Sequence, residues 1–157
     1  MSAGCSDQLA SAFAQRFRVL ARALDRLDRL EGERAFAGWL DQLTEQPHVL
    51  WDASEALVLQ ALRAASDPLN LALLRHLSDE EATALAELAA ELPLERIALH
   101  VRLGELAQAG LVVLELEREA ARLTALGNAL RDWLDTLIRC TLDQIGAWLE
   151  LVRSTQS

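Results

Sequence analysis

The chain has 157 residues, of which 52% are hydrophobic and 25% are charged, so it has enough apolar material for the core of one ordinary domain. This composition is too apolar for intrinsic disorder, and no stretch approaches the roughly 18 uncharged apolar residues of a membrane span. The first residues lack the features of a secretory signal, so we expect a cytoplasmic protein without a membrane partner. The formal net charge is −9 and all 15 cations are arginines; this net charge argues against a nucleic-acid partner, whose phosphates would repel it.

Residues 1–65 predict an N-terminal helical extension. Apolar side chains recur every three or four residues from about Asp7 to Leu30, which indicates an amphipathic helix. A short helix is predicted after Gly32, and a third helix from an N-cap at Asp52 to about Ala65. We expect this extension to serve in dimerisation or in another interaction.

Residues 66–127 begin with three predicted helices. Asp67-Pro68 is a capping residue followed by proline, which favours the start of the first helix. Ser78 begins an S-x-x-E sequence, which favours the start of the second helix there. The third helix is predicted over about 94–109 and ends at Gly110, the residue type preferred just past a helix C-terminus.

A β-hairpin and a long helix complete the predicted fold. The run from Leu111 to Glu117 is first β-branched and then alternating, which predicts a strand, and Arg122–Thr124 is its predicted return strand. We call this hairpin, about residues 112–124, the wing. An amphipathic helix follows, and residues 128–157 are expected to serve in dimerisation. The predicted fold class is mainly α with a small β-hairpin.

Three stretches within residues 66–127 carry motifs of a known family. Asp67–Leu77 is similar to the opening helix of ArsR-like regulators. Glu87-Leu88-Ala89, followed by Leu94–Val112, is similar to a core that ends in L-x-x-L-x-x-A-G-L-V. Arg122–Gly127 is similar to the R-x-T-x-x-G sequence with which the chain leaves the hairpin. Together they resemble winged helix-turn-helix transcription regulators of the ArsR/MarR-like type, to which the element order also corresponds.

The resemblance implies a sequence-specific, homodimeric DNA-binding transcription regulator. The recognition helix, about 94–109, would lie in the major groove, and the wing would contact the DNA backbone. The implied DNA-binding residues are Arg96, His100, Arg102, Arg118 and Arg122. On this hypothesis Arg96 and His100 read bases with assistance from Arg102, while the two wing arginines contact phosphates.

The distribution of charge favours an alternative hypothesis. Residues 66–127 carry eleven acidic residues against five arginines and so hold −6 of the net charge, whereas specific DNA-binding proteins generally present a basic surface. Val101 and Gly104 also lie on the predicted reading face. The alternative is a winged-helix protein–protein interaction module that has lost DNA binding and uses this face or an arginine row on the first helix.

That arginine row consists of Arg18, Arg22, Arg26 and Arg29 on one face of the first helix. It has three interpretations: a phosphate-contacting arm, a surface for an acidic partner, or a solvated helix face. Cys5 and Cys140 have two interpretations, either a redox or metal-ligand pair or two small, semi-buried thiols. The sequence contains no phosphate-binding glycine loop, nucleophile elbow or Cys/His cluster, so we expect no enzymatic activity, no cofactor and no metal site.

Overall fold

The structure is a computed structural model that describes residues 3–32 and 34–156. The described residues form seven α-helices: α1 (Ala3–Glu31), α2 (Ala35–Glu45), α3 (Pro47–Ala65), α4 (Pro68–His76), α5 (Leu85–Glu91), α6 (Arg96–Gln108) and α7 (Ala125–Thr155). Three short strands, β1 (Thr83–Ala84), β2 (Val112–Glu115) and β3 (Ala120–Leu123), form an antiparallel sheet in the order β1-β3-β2. The predicted fold class, mainly α with a small β-hairpin, is confirmed.

The elements from α4 to the first turns of α7 surround a leucine-rich core. Nine leucines in this region are fully buried: Leu73, Leu74, Leu88, Leu99, Leu103, Leu106, Leu111, Leu123 and Leu130. Gly110 has a φ of +76°, a left-handed conformation that lets the chain turn sharply from α6 into β2. A Cβ atom at Gly127 would collide with the carbonyl oxygen of Leu111, so glycine allows α7 to pass close to the end of α6.

The predicted start of α3 at Asp52 is wrong. The helix begins at Pro47, with Gln46 as its N-cap residue, and Asp52 lies in its second turn. Proline suits the first helical position because its φ is already helical and the missing N–H would have no intrahelical partner there. This preference outweighs the local capping signal at Asp52.

The predicted start at Ser78 of the second helix in residues 66–127 is also wrong. Helix α5 begins at Leu85, and the hydroxyl of Ser78 accepts a hydrogen bond from the backbone N–H of Glu80 (3.1 Å) in a local turn. Thr83 and Ala84 instead pair with β3. The hairpin therefore gains a third strand, which local sequence signals do not reveal.

The return strand of the wing begins two residues earlier than predicted, at Ala120 instead of Arg122. Ala120 and Ala121 are buried against the sheet neighbours, although alanine has a low preference for strands. Thr124 follows the strand and caps α7, where its hydroxyl accepts a hydrogen bond from the N–H of Gly127 (2.9 Å).

The N-terminal extension shares this core. Ala12 of α1 and Ala61 and Ala65 of α3 belong to the same buried cluster as the leucines, and α1 packs against α7. The core is therefore continuous across the predicted boundary between residues 65 and 66. Cys5 and Cys140 are half-buried, free thiols.

The outer parts of the two long helices expose apolar side chains. We call this set the terminal-helix surface; it comprises Val19, Leu24, Leu27 and Leu30 of α1 and Leu137, Ile138, Leu142, Ile145, Trp148, Leu149 and Leu151 of α7. The first turns of α7, in contrast, bury Leu126 and Leu130. Among the described residues, no helix combines the length and apolar character needed to cross a membrane.

Candidate functional site

Helix α6 has one buried and one exposed face. Leu99, Leu103 and Leu106 are 0% exposed and fix the helix against the core. Ile97 and Val101 lie on the opposite side and are 78% and 57% exposed, because successive residues of an α-helix are about 100° apart. The helix is thus fixed by its inner face, and its outward face is apolar at the centre.

Gly104 continues this outward face one turn beyond Val101. An added Cβ atom there would have no neighbouring atom within 4 Å outside the helix itself. On the wing, Leu116 is 79% exposed. We call Ile97, Val101, Gly104 and Leu116 the α6–wing face.

An ion pair joins the start of α6 to the wing. Arg96 donates from Nη2 to Oε1 of Glu119 at 2.7 Å. The Nδ1 atom of His100 lies 2.8 Å from the carbonyl oxygen of Arg96, so its ring lies along the preceding turn of the helix. Two of the predicted DNA-binding residues are therefore exposed and adjacent, although the guanidinium of Arg96 already has an anionic partner.

The two wing arginines share one carboxylate. Glu115 lies 3.7 Å from Nη1 of Arg118 and 3.4 Å from Nε of Arg122. Arg122 is brought beside Glu115 by the strand pairing, in which Glu115 lies opposite Ala120. Both arginines are therefore paired within the wing, although one carboxylate can offset only one of the two positive charges.

Arg102 lies on a different side of α6 from the α6–wing face. Its guanidinium donates to Oδ1 of Asp67 at 2.8 Å and to Oδ1 of Asn70 at 3.2 Å. Asn70 is 1% exposed and donates to the carbonyl oxygen of Ala64 (2.9 Å) and to Glu105 (3.4 Å). We call Asp67, Asn70, Arg102 and Glu105 the polar cluster; it connects α4 to α6.

The polar cluster also perturbs a titratable group. The pKa of Asp67 is lowered, chiefly because its carboxylate accepts a hydrogen bond from the backbone N–H of Asn70, with further contributions from Arg102 and the N–H of Leu69. Partial burial opposes this shift. Arg102 therefore stabilises the carboxylate that caps the N-terminus of α4.

Every arginine of residues 66–127 forms an ion pair: Arg75, Arg96, Arg102, Arg118 and Arg122. The excess acidic charge of the domain therefore lies on other carboxylates. Glu95, two residues before Ile97, and Glu117, next to Leu116, are exposed and have no cation within 4 Å in residues 3–32 and 34–156. The apolar residues of the face are thus flanked in sequence by unpaired carboxylates.

The C-terminal end of α6 is held by the N-terminal extension. The carbonyl oxygen of Gln108 accepts hydrogen bonds from Nη2 of Arg16 (3.3 Å) and from the amide of Gln60 (3.5 Å). The Nε atom of Arg16 is buried without a hydrogen-bond partner. The same guanidinium lies over Gly110, where a Cβ atom would collide with it.

The other sequence candidates do not converge on this face. In the arginine row of α1, Arg29 pairs with Asp25 (3.1 Å) and the row is exposed. An open apolar groove of about 750 Å³ lies between α1, α3 and α7 and is lined by Phe13, Val58 and Trp133, among others. Within the part of the chain that the structure describes, no three His, Cys, Asp or Glu side chains cluster in a way that could hold a metal ion.

Comparison with protein-family models, with curated proteins and with solved structures gives no match for this chain. A function has to be inferred from the contacts of its own residues. The sequence pattern predicted the location of α6 and the wing, but it missed the pairing of their arginines. A partial signal exists in the wing, because Glu115 and Arg122 are oppositely charged residues on paired strands.

Proposed function

We propose that the chain is a winged-helix protein–protein interaction module that acts as a homodimer and binds its partner through the α6–wing face. The observation that carries this proposal is the state of the arginines: each one in residues 66–127 is paired with a carboxylate, while the centre of the face is apolar. Protein interfaces have a core depleted in charge, whereas DNA affinity depends on cations that neutralise phosphates.

The local balance of charge matters more than the strength of each pair. Exposed ion pairs contribute only about 0–1 kcal/mol, so a phosphate could displace Glu115 from Arg118. The displaced carboxylate would remain beside the phosphate, with Glu117 next to it on the wing. No net positive potential would result, and DNA binding would lack its main source of affinity.

The proposal is tested by capture of partners from the native host. The tagged protein should retain a stoichiometric protein partner, and Val101→Glu should lose it because the new charge would be buried at the centre of the interface. Leu59→Glu is the matched control, since it places the same charge at an exposed apolar position of α3. Equal capture by both variants would contradict a role for the α6–wing face.

A DNA-binding regulator is the second candidate function. The observation in its favour is that α6 exposes Arg96 and His100 on its first two turns beside the wing. This candidate predicts a sequence-preferring complex with genomic fragments that weakens steeply with salt. It also predicts that Arg96→Ala costs about 1–3 kcal/mol of binding free energy if the arginine makes a bidentate base contact. We expect no such complex, even at low salt.

The terminal-helix surface supports the homodimer in this proposal. Ile138, Leu142, Ile145 and Leu149 follow one another at spacings of four, three and four, which is the pattern of a helix face that packs against another helix. Sedimentation equilibrium should show a dimer for the wild type. Ile145→Glu should shift it towards the monomer, whereas Gln144→Glu, which adds the same charge at the preceding exposed position, should leave the dimer intact.

A further inference from the structure

The exposed line of α6 suggests how a partner would be seated. Ile97, Val101, Gly104 and Gln108 follow at spacings of four, three and four, so they form a single line along the helix. Ridges of this kind pack into the grooves of another helix. The wing lies beside this line, because the ion pair between Arg96 and Glu119 holds its turn against the first turn of α6.

Gly104 lies on the same line of α6, and, like Gly38 and Gly146 in other helices, has open space around an added Cβ atom. Glycine disfavours a helix interior, and here the fold does not require it, since a Cβ atom would meet nothing within 4 Å. The backbone conformation is ordinary helix, because Gly32 and Gly110 are the glycines with positive φ in the described residues. A glycine in this position leaves a notch in the exposed line, which allows close approach by another backbone.

The charges near this line of α6 indicate which net charge a partner should carry. Glu95 and Glu117 are exposed carboxylates with no ion pair in the described part of the chain, whereas Arg96, Arg118 and Arg122 are already paired. The unpaired carboxylates Glu95 and Glu117 therefore favour a cationic partner. An acidic or phosphate-rich partner would be repelled.

We propose that the α6–wing face binds a basic amphipathic helix of a partner protein. The apolar stripe of that helix lies along Ile97 and Val101, its backbone comes close at Gly104, and its Arg or Lys side chains pair with Glu95 and Glu117. This inference rests on the proposed function and adds the chemistry of the partner. Recognition of an amphipathic helix through anchors spaced by three and four residues is an established mode of peptide binding.

Self-association of two chains through their α6–wing faces is unfavourable. A two-fold interface places a surface patch against itself, so the unpaired carboxylates Glu95 and Glu117 of both copies would be brought into one interface with no unpaired cation among the described residues of the wing region to offset them. Like charges across an interface weaken binding. The terminal-helix surface offers copies of the chain more exposed apolar side chains.

The test is selection from a displayed library of random helix-length peptides against the intact protein. We expect enrichment of net-basic peptides with apolar residues spaced by three and four. A synthetic peptide of the enriched sequence should bind the wild type and lose about 30-fold or more in affinity with Val101→Glu, which is the loss typical of a central interface residue. It should bind Leu59→Glu normally.

Gly104 provides a variant whose stability and binding change in opposite directions. Gly104→Ala should raise the melting temperature and yet weaken peptide binding, and Gly104→Leu should weaken binding further. A purely structural role for the glycine would not separate these two readouts. Retained affinity in both variants would overturn the close approach at Gly104.

Other outcomes are also decisive. Enrichment of acidic peptides, of peptides that still bind Val101→Glu, or of no peptide at all would overturn the basic-helix partner. Host capture would then decide the proposed function separately: a partner lost with Val101→Glu would leave that function intact, with a partner of another chemistry. A salt-sensitive DNA complex and no protein partner would overturn both.

Discussion

We call the leucine-rich core from α4 to the first turns of α7 the winged core. It and the terminal-helix surface contain similar apolar residues, which are buried in the first and exposed in the second. In the core, leucines such as Leu103 are 0% exposed, whereas Leu142 on the terminal-helix surface is 65% exposed. Each exposed leucine forgoes up to about 1.5–3 kcal/mol of burial free energy. The comparison indicates that the winged core is completed by its own chain, while the terminal helices leave apolar area exposed.

Helix α6 shows the same contrast within a single element. Its inner face is closed by leucines and by the polar cluster, and its outer face presents Ile97 and Val101 to solvent. A helix that is apolar on both sides is usually buried on both sides. The following predictions test whether the inner and outer surfaces differ as the structure indicates.

The largest expected effect is in the core. Leu103→Ala should lower the free energy of unfolding by about 3 kcal/mol, because it leaves a cavity among fully buried leucines. Leu142→Ala should change it by no more than about 0.5 kcal/mol in the monomer and should weaken self-association instead. Urea denaturation at several protein concentrations separates the two effects, and equal losses at low concentration would contradict the comparison.

Two of the predicted DNA-binding arginines should differ in their effect on folding. Arg102→Ala should cost about 1–3 kcal/mol of unfolding free energy, because it leaves the buried Asn70 oxygen without its donor. Arg118→Ala removes an exposed pair and should cost no more than about 0.5 kcal/mol. Thermal unfolding of the two variants measures both losses. A larger loss of stability for Arg118→Ala than for Arg102→Ala would contradict the structural role of Arg102.

The N-cap of α4 should contribute a pH-dependent term. Asp67→Ala should cost about 1–2 kcal/mol, and Asp67→Asn should cost less because its amide oxygen can still cap the helix. The folded pKa of Asp67 is lowered, so its contribution is present above the ordinary pKa of 3.8 and is lost as the pH falls through the folded value. The stability difference between wild type and Asp67→Asn should therefore shrink on acidification below this pH.

Gly104, inside α6, and Gly110, just past its end, should respond to alanine substitution with changes in stability of opposite sign. Gly104→Ala should stabilise the fold by up to about 1 kcal/mol. Gly110→Ala should destabilise it by about 1–2 kcal/mol, because a left-handed residue acquires a Cβ atom that also collides with Arg16. Parallel melting curves measure both; a destabilising Gly104→Ala would show that the notch serves the fold.

Local signals predicted the features that depend on neighbouring residues. Asp67-Pro68 and Gly110 each set a helix end through their own backbone preferences, and helical periodicity located the leucines of α6. Local signals competed at the start of α3, where Pro47 outweighed Asp52, and they did not reveal contacts with distant residues. The pairing of Arg102 with Asp67 joins residues 35 positions apart, and the predicted helix start at Ser78 was displaced by strand pairing with Ala120 and Ala121.

The hydrogen bonds to the Gln108 carbonyl have a consequence for cooperative unfolding. The last turn of α6 is held by Arg16 of α1 and Gln60 of α3, so local opening of the N-terminal helices releases this carbonyl and uncovers Gly110. Amide protons at the end of α6, such as the Leu111 N–H that donates to Leu106, are then expected to exchange with solvent at the rate at which α1 opens. Protection of the end of α6 is therefore expected to depend on the N-terminal helices as well as on α6 itself.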